Sequence, residues 1–314
     1  MDELVIHEHP ALNSPRMVLG FDGWMNAGNV STGVIEHLIE DLQARPVAEI
    51  LPLDFYILNF PVSTIPFTVF IDGEGARVSS ISPMQFSAIF RPHAEIKDGV
   101  VEQFAYQQNE FLYTRDPDLI IFRGEEPHIR WGSYADCVLR LAEEFGVTEM
   151  YFTGSVSSPI PHTREPRLRC SAANEDYKQA LRGPDVRFTD YSGPSSLITL
   201  LTGLAADRGI ALRNLVVEVP HYPFIEMPSY PASIAKVASK LHELVQAPTD
   251  LTELQQAAGE MREQLDKLMD DNEEFKELVA KLEQSYDYEE HGADEALLRR
   301  LIEGIDLRGD ADHN

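Results

Sequence analysis

The architecture of the chain follows from residues 16–42, RMVLGFDGWMNAGNVSTGVIEHLIEDL. An apolar run at residues 17–21 predicts a buried strand, and glycines then mark a loop. Apolar residues recur at helical spacing over the rest of the stretch, behind Asn29 or Ser31 as the capping residue. A strand, a glycine loop and a helix open an α/β domain, whose sites lie beyond the carboxyl ends of the strands. We therefore expect a pocket that includes residues 22–29.

The composition combines an ordinary apolar content with an unusual charge. Hydrophobic residues make up 43%, whereas 26 Lys and Arg stand against 52 Asp and Glu, a net charge of −26. Nucleic acid and anionic membranes are excluded as partners, because phosphate contacts need clustered Lys and Arg. A basic protein surface, a metal ion and simple solubility remain as reasons for the acidity. No membrane span or signal peptide is visible, so the expected location is the cytoplasm.

Neither a cofactor nor a metal is predicted. Cys137 and Cys170 are the two cysteines, and each is expected to be a small buried apolar residue. No Cys/His spacing suits structural zinc.

Later segments repeat the order of strand, loop and helix. Further strands are expected over residues 47–58, 76–81, 118–123, 148–153 and 215–219, and further helices over residues 131–145, 195–207, 232–244 and 294–304. The βαβ order implies neighbouring parallel strands. A long loop with three prolines, residues 154–169, is expected to be functional or mobile.

Two of the loops place polar groups at the end of a predicted strand. The loop from Gly23 to Gly28 is either a backbone nest that binds an anion or carbonyl, oriented by Asn26, or a tight turn. In the turn interpretation, Trp24 covers the end of the sheet. Glu125, which is followed by a second glutamate, could bind a cation or act as a general base. Alternatively, Glu125 could pair with Arg130 and brace the loop.

Two further stretches contain histidine. His162 and Arg164, with two more arginines nearby, could recognise a carboxylate or phosphate, or could offset the acidic surface or line a subunit contact. Ser195 and His221 suggest a catalytic pair, but the G-x-S-x-G elbow is missing. Ser195 or Ser196 is expected to cap a helix, and His221 to form structural hydrogen bonds. The predicted pocket comprises Gly23, Trp24, Asn26, Gly28, Glu125, Arg130, His162 and Arg164.

The chain from residue 249 onward is an acidic helical tail, with 7 Lys and Arg against 20 Asp and Glu, a net −13. A seven-residue apolar repeat predicts helix and, with Asn272 at one seam position, helix pairing. Residues 270–272 could instead break it into a hairpin of two helices. The predicted oligomer seam comprises Leu254, Met261, Leu265, Leu268, Phe275, Val279 and Leu282. We expect an α/β domain at residues 1–247 and a helical extension at 248–314.

The motif set resembles the PAC2 family, which is named for the second proteasome assembly chaperone. The resemblance rests on GFDGWMNAGN (20–29), LIIFRGEEPHIRW (119–131), YFTGSVSSPIPHTR (151–164), GPSSLITLL (193–201) and EVPHYPF (218–224). It implies a three-layer α/β/α sandwich similar to nucleoside phosphorylases, often oligomeric, with the C-terminal helical extension of bacterial members. It also implies a role in assembling proteasome α rings. Family members that dock on the proteasome do so through a C-terminus of the pattern hydrophobic–Tyr–any residue. Residues 309–314 do not show this pattern, so docking by that route is not expected.

Two functions are therefore expected. The first is a homo-oligomeric interaction protein, with a trimer as one assembly, that binds itself, proteasome subunits or another protein. The alternative is a small-molecule binding enzyme, either a hydrolase or a phosphorylase-like transferase, with its pocket at the carboxyl ends of the strands. Fold alone does not decide between them.

Overall fold

A computed structural model describes residues 3–58, 92–183 and 185–290. The strand predicted over residues 76–81 and the helix predicted over residues 294–304 lie outside these ranges.

The described strands form one large mixed sheet and one separate hairpin. The strands are β1 (Leu4–Ile6), β2 (Arg16–Asp22), β3 (Arg45–Ile50), β4 (His93–Lys97), β5 (Val100–Ala105), β6 (Glu110–Arg115), β7 (Asp118–Glu125), β8 (Glu149–Ser158), β9 (Leu168–Ala172), β10 (Val186–Phe188) and β11 (Ala211–Pro220). The sheet runs in the order β1-β3-β6-β7-β2-β8-β11-β9-β10, and β4 pairs with β5 alone. Its centre, β7-β2-β8-β11, is parallel, and antiparallel strands extend it on both sides.

The helices cover both faces of this sheet. They are α1 (Val30–Asp41), α2 (Trp131–Glu144), α3 (Glu175–Gln179), α4 (Leu197–Asp207), α5 (Pro231–Val245), α6 (Thr252–Asp271) and α7 (Glu273–Glu290). Met17 and Leu19 of β2 join the core beneath α2 and α4, whereas Val18 joins the core beneath α1 and α5. This alternation along a buried strand produces the predicted three layers. The α/β fold with C-terminal helices is confirmed, and the likeness to nucleoside phosphorylases stays a prediction.

The packing of α1 on β2 depends on a glycine. A Cβ atom at Gly20 would lie 2.3 Å from Ile35 Cγ1 and 2.8 Å from the Ser31 carbonyl oxygen. Ser31 is fully buried at this contact, where its hydroxyl donates to the Thr153 carbonyl (2.5 Å) and accepts from the Phe21 amide (2.9 Å). The side chain predicted to cap α1 therefore bonds to two strands instead.

Two sequence predictions differ from the structure near the first helix. Asn29 precedes α1 but its side chain forms no capping bond, and the amide oxygen of Asn26 accepts from the Thr32 N–H instead, at 3.2 Å. The strand predicted over residues 47–58 ends at Ile50, because Pro52 begins a short 3-10 turn.

The tail forms the hairpin that the sequence left as an alternative to one continuous helix. Asn272 is extended between α6 and α7, and its side-chain oxygen accepts from the Phe275 N–H at 3.0 Å. We refer to α6 and α7 together as the C-terminal hairpin. Four of the seven predicted seam residues are buried within the chain beside Tyr222, namely Leu265, Phe275, Val279 and Leu282. Leu254 and Met261 pack against the core of the α/β body, and Leu268 is 49% exposed. Self-association therefore stays a prediction.

Candidate functional site

The four loops selected from the sequence begin at one edge of the sheet. β7, β2, β8 and β11 are parallel neighbours, so their carboxyl ends line up in that order. We refer to this edge as the rim. Its open half comprises the loops after β7 and β2. Its covered half comprises the loops after β8 and β11, on which the C-terminal hairpin packs.

The open half contains a cavity of about 540 Å³ with acidic and aromatic walls. Its lining includes Asp22, Trp24, Glu125, Glu126, His128 and Trp131. Trp24 is 70% exposed at this cavity, and the Trp131 indole is fixed by a 2.7 Å bond to the Pro127 carbonyl. Parallel strands thus bring together the first two motifs, which are about a hundred residues apart in sequence.

Glu126 holds the walls of this cavity together. One carboxylate oxygen accepts from the Trp24 N–H at 2.9 Å, and the other accepts from the Leu197 N–H at 2.7 Å. Gly23 has φ +148°, and a Cβ atom there would lie 2.6 Å from the Glu126 Cβ. Ser196 occupies the predicted N-cap position of α4 but its side chain forms no capping bond. Glu126 binds the first N–H instead, so the prediction of Ser195 as the cap is wrong. The Ser195 hydroxyl instead donates to the next carbonyl, at 3.2 Å.

Glu125 is the carboxyl group with a raised pKa in the lining of the open cavity. It stands opposite Asp22 in the parallel pairing of β2 and β7. Burial, together with the negative charge of Asp22, raises the pKa of Glu125 to about 7. Beneath it, Asn109 Oδ1 accepts from the Glu125 N–H and the Tyr56 and Tyr134 hydroxyls. A carboxyl that titrates near neutral pH can donate or accept a proton.

Three other predicted pocket residues lie beside the cavity and not in its lining. Arg130 pairs with Glu3 (2.7 Å) and Asp54 (3.6 Å), so the bracing pair with Glu125 is wrong. Asn26 is 8% exposed, and its amide donates to the Asp22 carboxylate at 3.0 Å. Gly28 has φ +58° and packs beneath Tyr230. These residues shape the loop, and Gly23, Trp24 and Glu125 line the cavity.

The covered half is centred on His162, whose side chain is fully buried. Its backbone N–H donates to the Tyr222 hydroxyl at 2.8 Å, and that hydroxyl in turn donates to His162 Nδ1 at 2.7 Å. The ring proton therefore lies on Nε2, which donates to Asp266 of α6 at 3.2 Å. Burial lowers the pKa of His162, and the charge of Asp266 opposes that effect. The imidazole ring also stacks on Phe275.

The arginines after β8 all meet carboxylates of α7. Arg164 forms two bonds to Asp287, at 2.8 and 2.7 Å, and one to Glu283 at 2.8 Å. Arg167 pairs with Glu289, and its guanidinium lies 3.5 Å from the centre of the Tyr286 ring. Within the chain, these arginines therefore offset acidic residues of α7.

His162 and Arg164 therefore do not line the open cavity. They line a second cavity, beneath α6. Sequence reasoning chose His221 from its motif, but His221 is exposed and its neighbour Tyr222 is the buried hydrogen-bonding residue. An aromatic residue between prolines was the available signal.

Other site types find little support in the part of the chain that the structure describes. No three His, Cys, Asp or Glu side chains there group as a metal site. Cys137 and Cys170 are both buried and form no disulfide within these ranges. No helix within the same ranges combines the length and apolarity that a bilayer span requires.

These features define a class: a three-layer α/β protein with a cavity at the carboxyl ends of its parallel strands and a helical hairpin over the neighbouring loops. The sequence profile of the PAC2 family matches residues 20–269, and the chain belongs to that family. No curated protein sequence matches it.

Solved structures share the fold. A PAC2 family protein from Streptomyces avermitilis is 23% identical, with a TM-score of 0.67 over 84% of this chain and 99% of that one. A proteasome-assembly chaperone homologue from Mycobacterium tuberculosis is 20% identical, with a TM-score of 0.68 and the same coverage, 84% and 99%. The archaeal proteasome activator PbaB from Pyrococcus furiosus is 26% identical, with a TM-score of 0.56 over 85% and 99%.

Proposed function

We propose that this protein is a PAC2-type interaction factor, similar to proteasome-assembly chaperones, that binds a partner protein through the open half of the rim. It is also proposed to associate with itself as a homo-oligomer. Proteasome subunits are the first partners to test, because a proteasome activator and a chaperone homologue are among the structures that share its fold.

The observation that carries this proposal is the presentation of Trp24. Its side chain is 70% exposed, yet the backbone of its loop is fixed by Glu126 and Gly23. Large aromatic side chains on rigid supports dominate binding energy at protein interfaces, because they bury much area at little entropic cost.

The charge around Trp24 favours a basic partner surface. Asp22, Glu125 and Glu126 line the cavity beside the indole, and no Lys or Arg is among its lining residues in the described ranges. The net charge of −26 extends the negative potential beyond the cavity. Such a field accelerates association with a positively charged surface and makes it sensitive to salt.

Binding of purified proteasome α subunits to the full chain tests this proposal. Trp24→Ala should weaken the complex at least about tenfold, the range of an interface anchor. Leu268→Ala, which truncates another exposed apolar residue on a different face, is the matched control. Failure of the wild-type chain to bind α subunits would reject the proteasome as partner, and equal effects of both variants would reject the open half as the binding surface.

Light scattering of the purified chain tests self-association. A monomer at all concentrations would reject it.

A second candidate function, that of a small-molecule enzyme, is favoured by one specific observation. Glu125, with a pKa of about 7, lines a cavity that also contains His128, whose Nδ1 accepts from the Ile57 N–H at 3.0 Å. A carboxyl with this pKa is suited to general acid–base work, which is why perturbed groups in cavities indicate active sites.

A thermal-shift screen with nucleosides, phosphate and nucleotides tests the enzyme candidate. A ligand in this cavity should raise the melting temperature by mass action, and Glu125→Gln should change that response. Glu102→Gln, at an exposed position of β5, provides the control. Absence of any shift, or the same shift in the two variants, would reject the second function.

A further inference from the structure

A second cavity lies between the α/β body and the C-terminal hairpin. Its volume is about 210 Å³, and its walls come from the loop after β8, the start of α5 and the first half of α6. Ala258 and Gly259 of α6 line it, and the space beside Gly259 is open, since a Cβ atom there would meet nothing within 4 Å. The cavity exists only while α6 is docked on the body.

Tyr230 supplies an unused polar group to this cavity. The residue is 4% exposed and lines the cavity, and its backbone N–H donates to the Gly28 carbonyl at 2.9 Å. Within the described ranges, no side chain or backbone group pairs with its hydroxyl, which does not belong to the fully buried unpaired atoms of those ranges. The hydroxyl is therefore open to the cavity and available to a polar group from outside the chain.

One cationic and one anionic side chain stand at the same cavity with spare bonding capacity. Arg262 is 57% exposed at its side chain, and its ion pair with Asp266 is long, at 3.9 Å. Glu165 is exposed and has no ion-pair partner among the described residues. Both charges act on the pKa of the Tyr230 hydroxyl, which burial raises: Arg262 lowers it and Glu165 raises it further. Tyr230, Arg262 and Glu165 all line this one cavity.

Arg164, the other cation of the lining, is not available for a ligand. Its guanidinium is already bonded to Glu283 and Asp287 of α7. It fixes the wall of the cavity and leaves Arg262 to meet an incoming anion.

We propose that this cavity binds a small zwitterion of the α-amino-acid class. The ligand carboxylate meets the Arg262 guanidinium and the Tyr230 hydroxyl, and the ligand ammonium group meets the Glu165 carboxylate. Ala258, Met261 and Pro166 offer an apolar wall for a short side chain. Because the body and α6 each supply part of the site, the ligand holds the C-terminal hairpin in place and stabilises the docked state.

Calorimetry and thermal melting of the full chain with defined probes test this proposal. L-Alanine should bind and raise the melting temperature, whereas propionate and ethylamine, which each lack one of the two charged groups, should bind at least about tenfold more weakly. Hydrogen exchange of α6 and α7 should slow in the presence of L-alanine and not with the other two probes.

Single-residue variants locate the site. Arg262→Gln and Tyr230→Phe should each weaken L-alanine binding about tenfold, the loss expected for a hydrogen bond to a charged group. Lys267→Gln removes one positive charge from the same helix outside the cavity and should leave binding unchanged. Tyr191→Phe is the matched control for the lost hydroxyl.

Three results would overturn the proposal. Glycine, valine and leucine are further probes of the same class, and the absence of a response to all four amino acids would reject an amino-acid site. Equal affinity for propionate and L-alanine would reduce the cavity to an anion site. Unchanged binding in Arg262→Gln, an exposed position where folding is not at risk, would place the ligand elsewhere.

Discussion

The two halves of the rim are built from the same kind of loop and differ in what completes them. In the open half, Asp22 and Glu125 are neighbours on adjacent strands and both line the cavity. No Lys or Arg is among the described residues that line it. In the covered half, Arg164 and His162 meet carboxylates of the C-terminal hairpin. The chain thus neutralises the cationic loops of the covered half from within, whereas the carboxylates of the open half meet no such partner among the described lining residues.

This difference explains how so acidic a tail can pack on the body. Glu283 and Asp287, one turn apart on α7, meet Arg164, and Glu289 meets Arg167, so each pair joins residues more than a hundred positions apart in the chain. In addition to these ion pairs, the hairpin forms a small apolar core with the body around Tyr222 and Phe275. The covered half is therefore held by charge and packing together, and variants can separate the two contributions.

The largest expected effect comes from the packing contribution. Phe275 is 1% exposed, and its ring contacts His162, Tyr222 and Phe224. Phe275→Ala should destabilise the docked hairpin by about 3–5 kcal/mol, the range for removing a large buried aromatic. Hydrogen exchange and limited proteolysis of α7 would measure the loss. Leu268→Ala, at an exposed site, should change stability by no more than about 0.5 kcal/mol, and equal losses in the two variants would contradict the covered half as described.

The ionic contribution is expected to be somewhat smaller. Arg167 is 6% exposed, stacks on Tyr286 and pairs with Glu289. Arg167→Met keeps much of the volume but removes the charge, and should cost about 2–3 kcal/mol, because Glu289 loses a buried partner but retains access to solvent. Chemical denaturation would measure this.

Arg208 provides the control for that experiment. It forms surface pairs with Asp136 and Glu143, and Arg208→Met should cost at most about 1 kcal/mol. If the two arginine variants lose the same amount, the pairing under α7 is no stronger than a surface contact.

A third variant acts on the open half. Glu126→Gln keeps one oxygen acceptor for two backbone N–H groups, those of Trp24 and Leu197, and should cost about 1–2 kcal/mol. The released loop should also change the fluorescence of Trp24 without affecting hydrogen exchange in α7. A change confined to the C-terminal hairpin would show that the two halves are not independent.

Much of this arrangement was predictable from local sequence, and the reasons are specific. The run at residues 17–21 and the apolar residues of α1 fix β2, the glycine loop and the helix, because burial imposes period 2 on one and period 3.6 on the other. The carboxyl ends of parallel strands then meet at a common rim, which places Trp24 beside Glu125.

The division of the rim could not be read from the sequence in the same way. The seven-residue repeat of the tail predicts an apolar helix face but not the surface against which that face packs. Phe275 and Val279, which pack beside Tyr222 of the same chain, were equally compatible with packing on a second chain. The predictions of the helix-capping residues were wrong for a related reason. Glu126 of another loop binds the first N–H of α4, and the Ser31 hydroxyl bonds to the sheet instead of capping α1. Both outcomes depend on contacts between residues far apart in sequence.

The acidity of Glu125 gives a pH test of the open half. Its pKa is about 7 in the folded chain and about 4.5 when unfolded, so the folded state binds the extra proton between these values. The stability that this group contributes is complete below about pH 4.5 and is lost as the pH rises through 7. The difference in unfolding free energy between wild type and Glu125→Gln should therefore fall over that interval, by about 1–2 kcal/mol after solvent screening. A flat difference would mean that Asp22 and Glu125 do not share a confined cavity.

His162 should show the opposite slope and a smaller effect, because Asp266 offsets part of the burial that lowers its pKa. Its folded pKa lies below the ordinary value of 6.5, so the unfolded chain binds the proton first as the pH falls. Stability should then decrease below about pH 6.5, and His162→Gln should abolish that decrease. Arg262, Asp266 and Glu283 are the charged groups that act on this ring. Burial lowers the pKa of a histidine and raises the pKa of a carboxyl, so the two groups should give pH dependences of stability with opposite signs. Slopes of the same sign for His162 and Glu125 would remove the electrostatic distinction between the two halves of the rim.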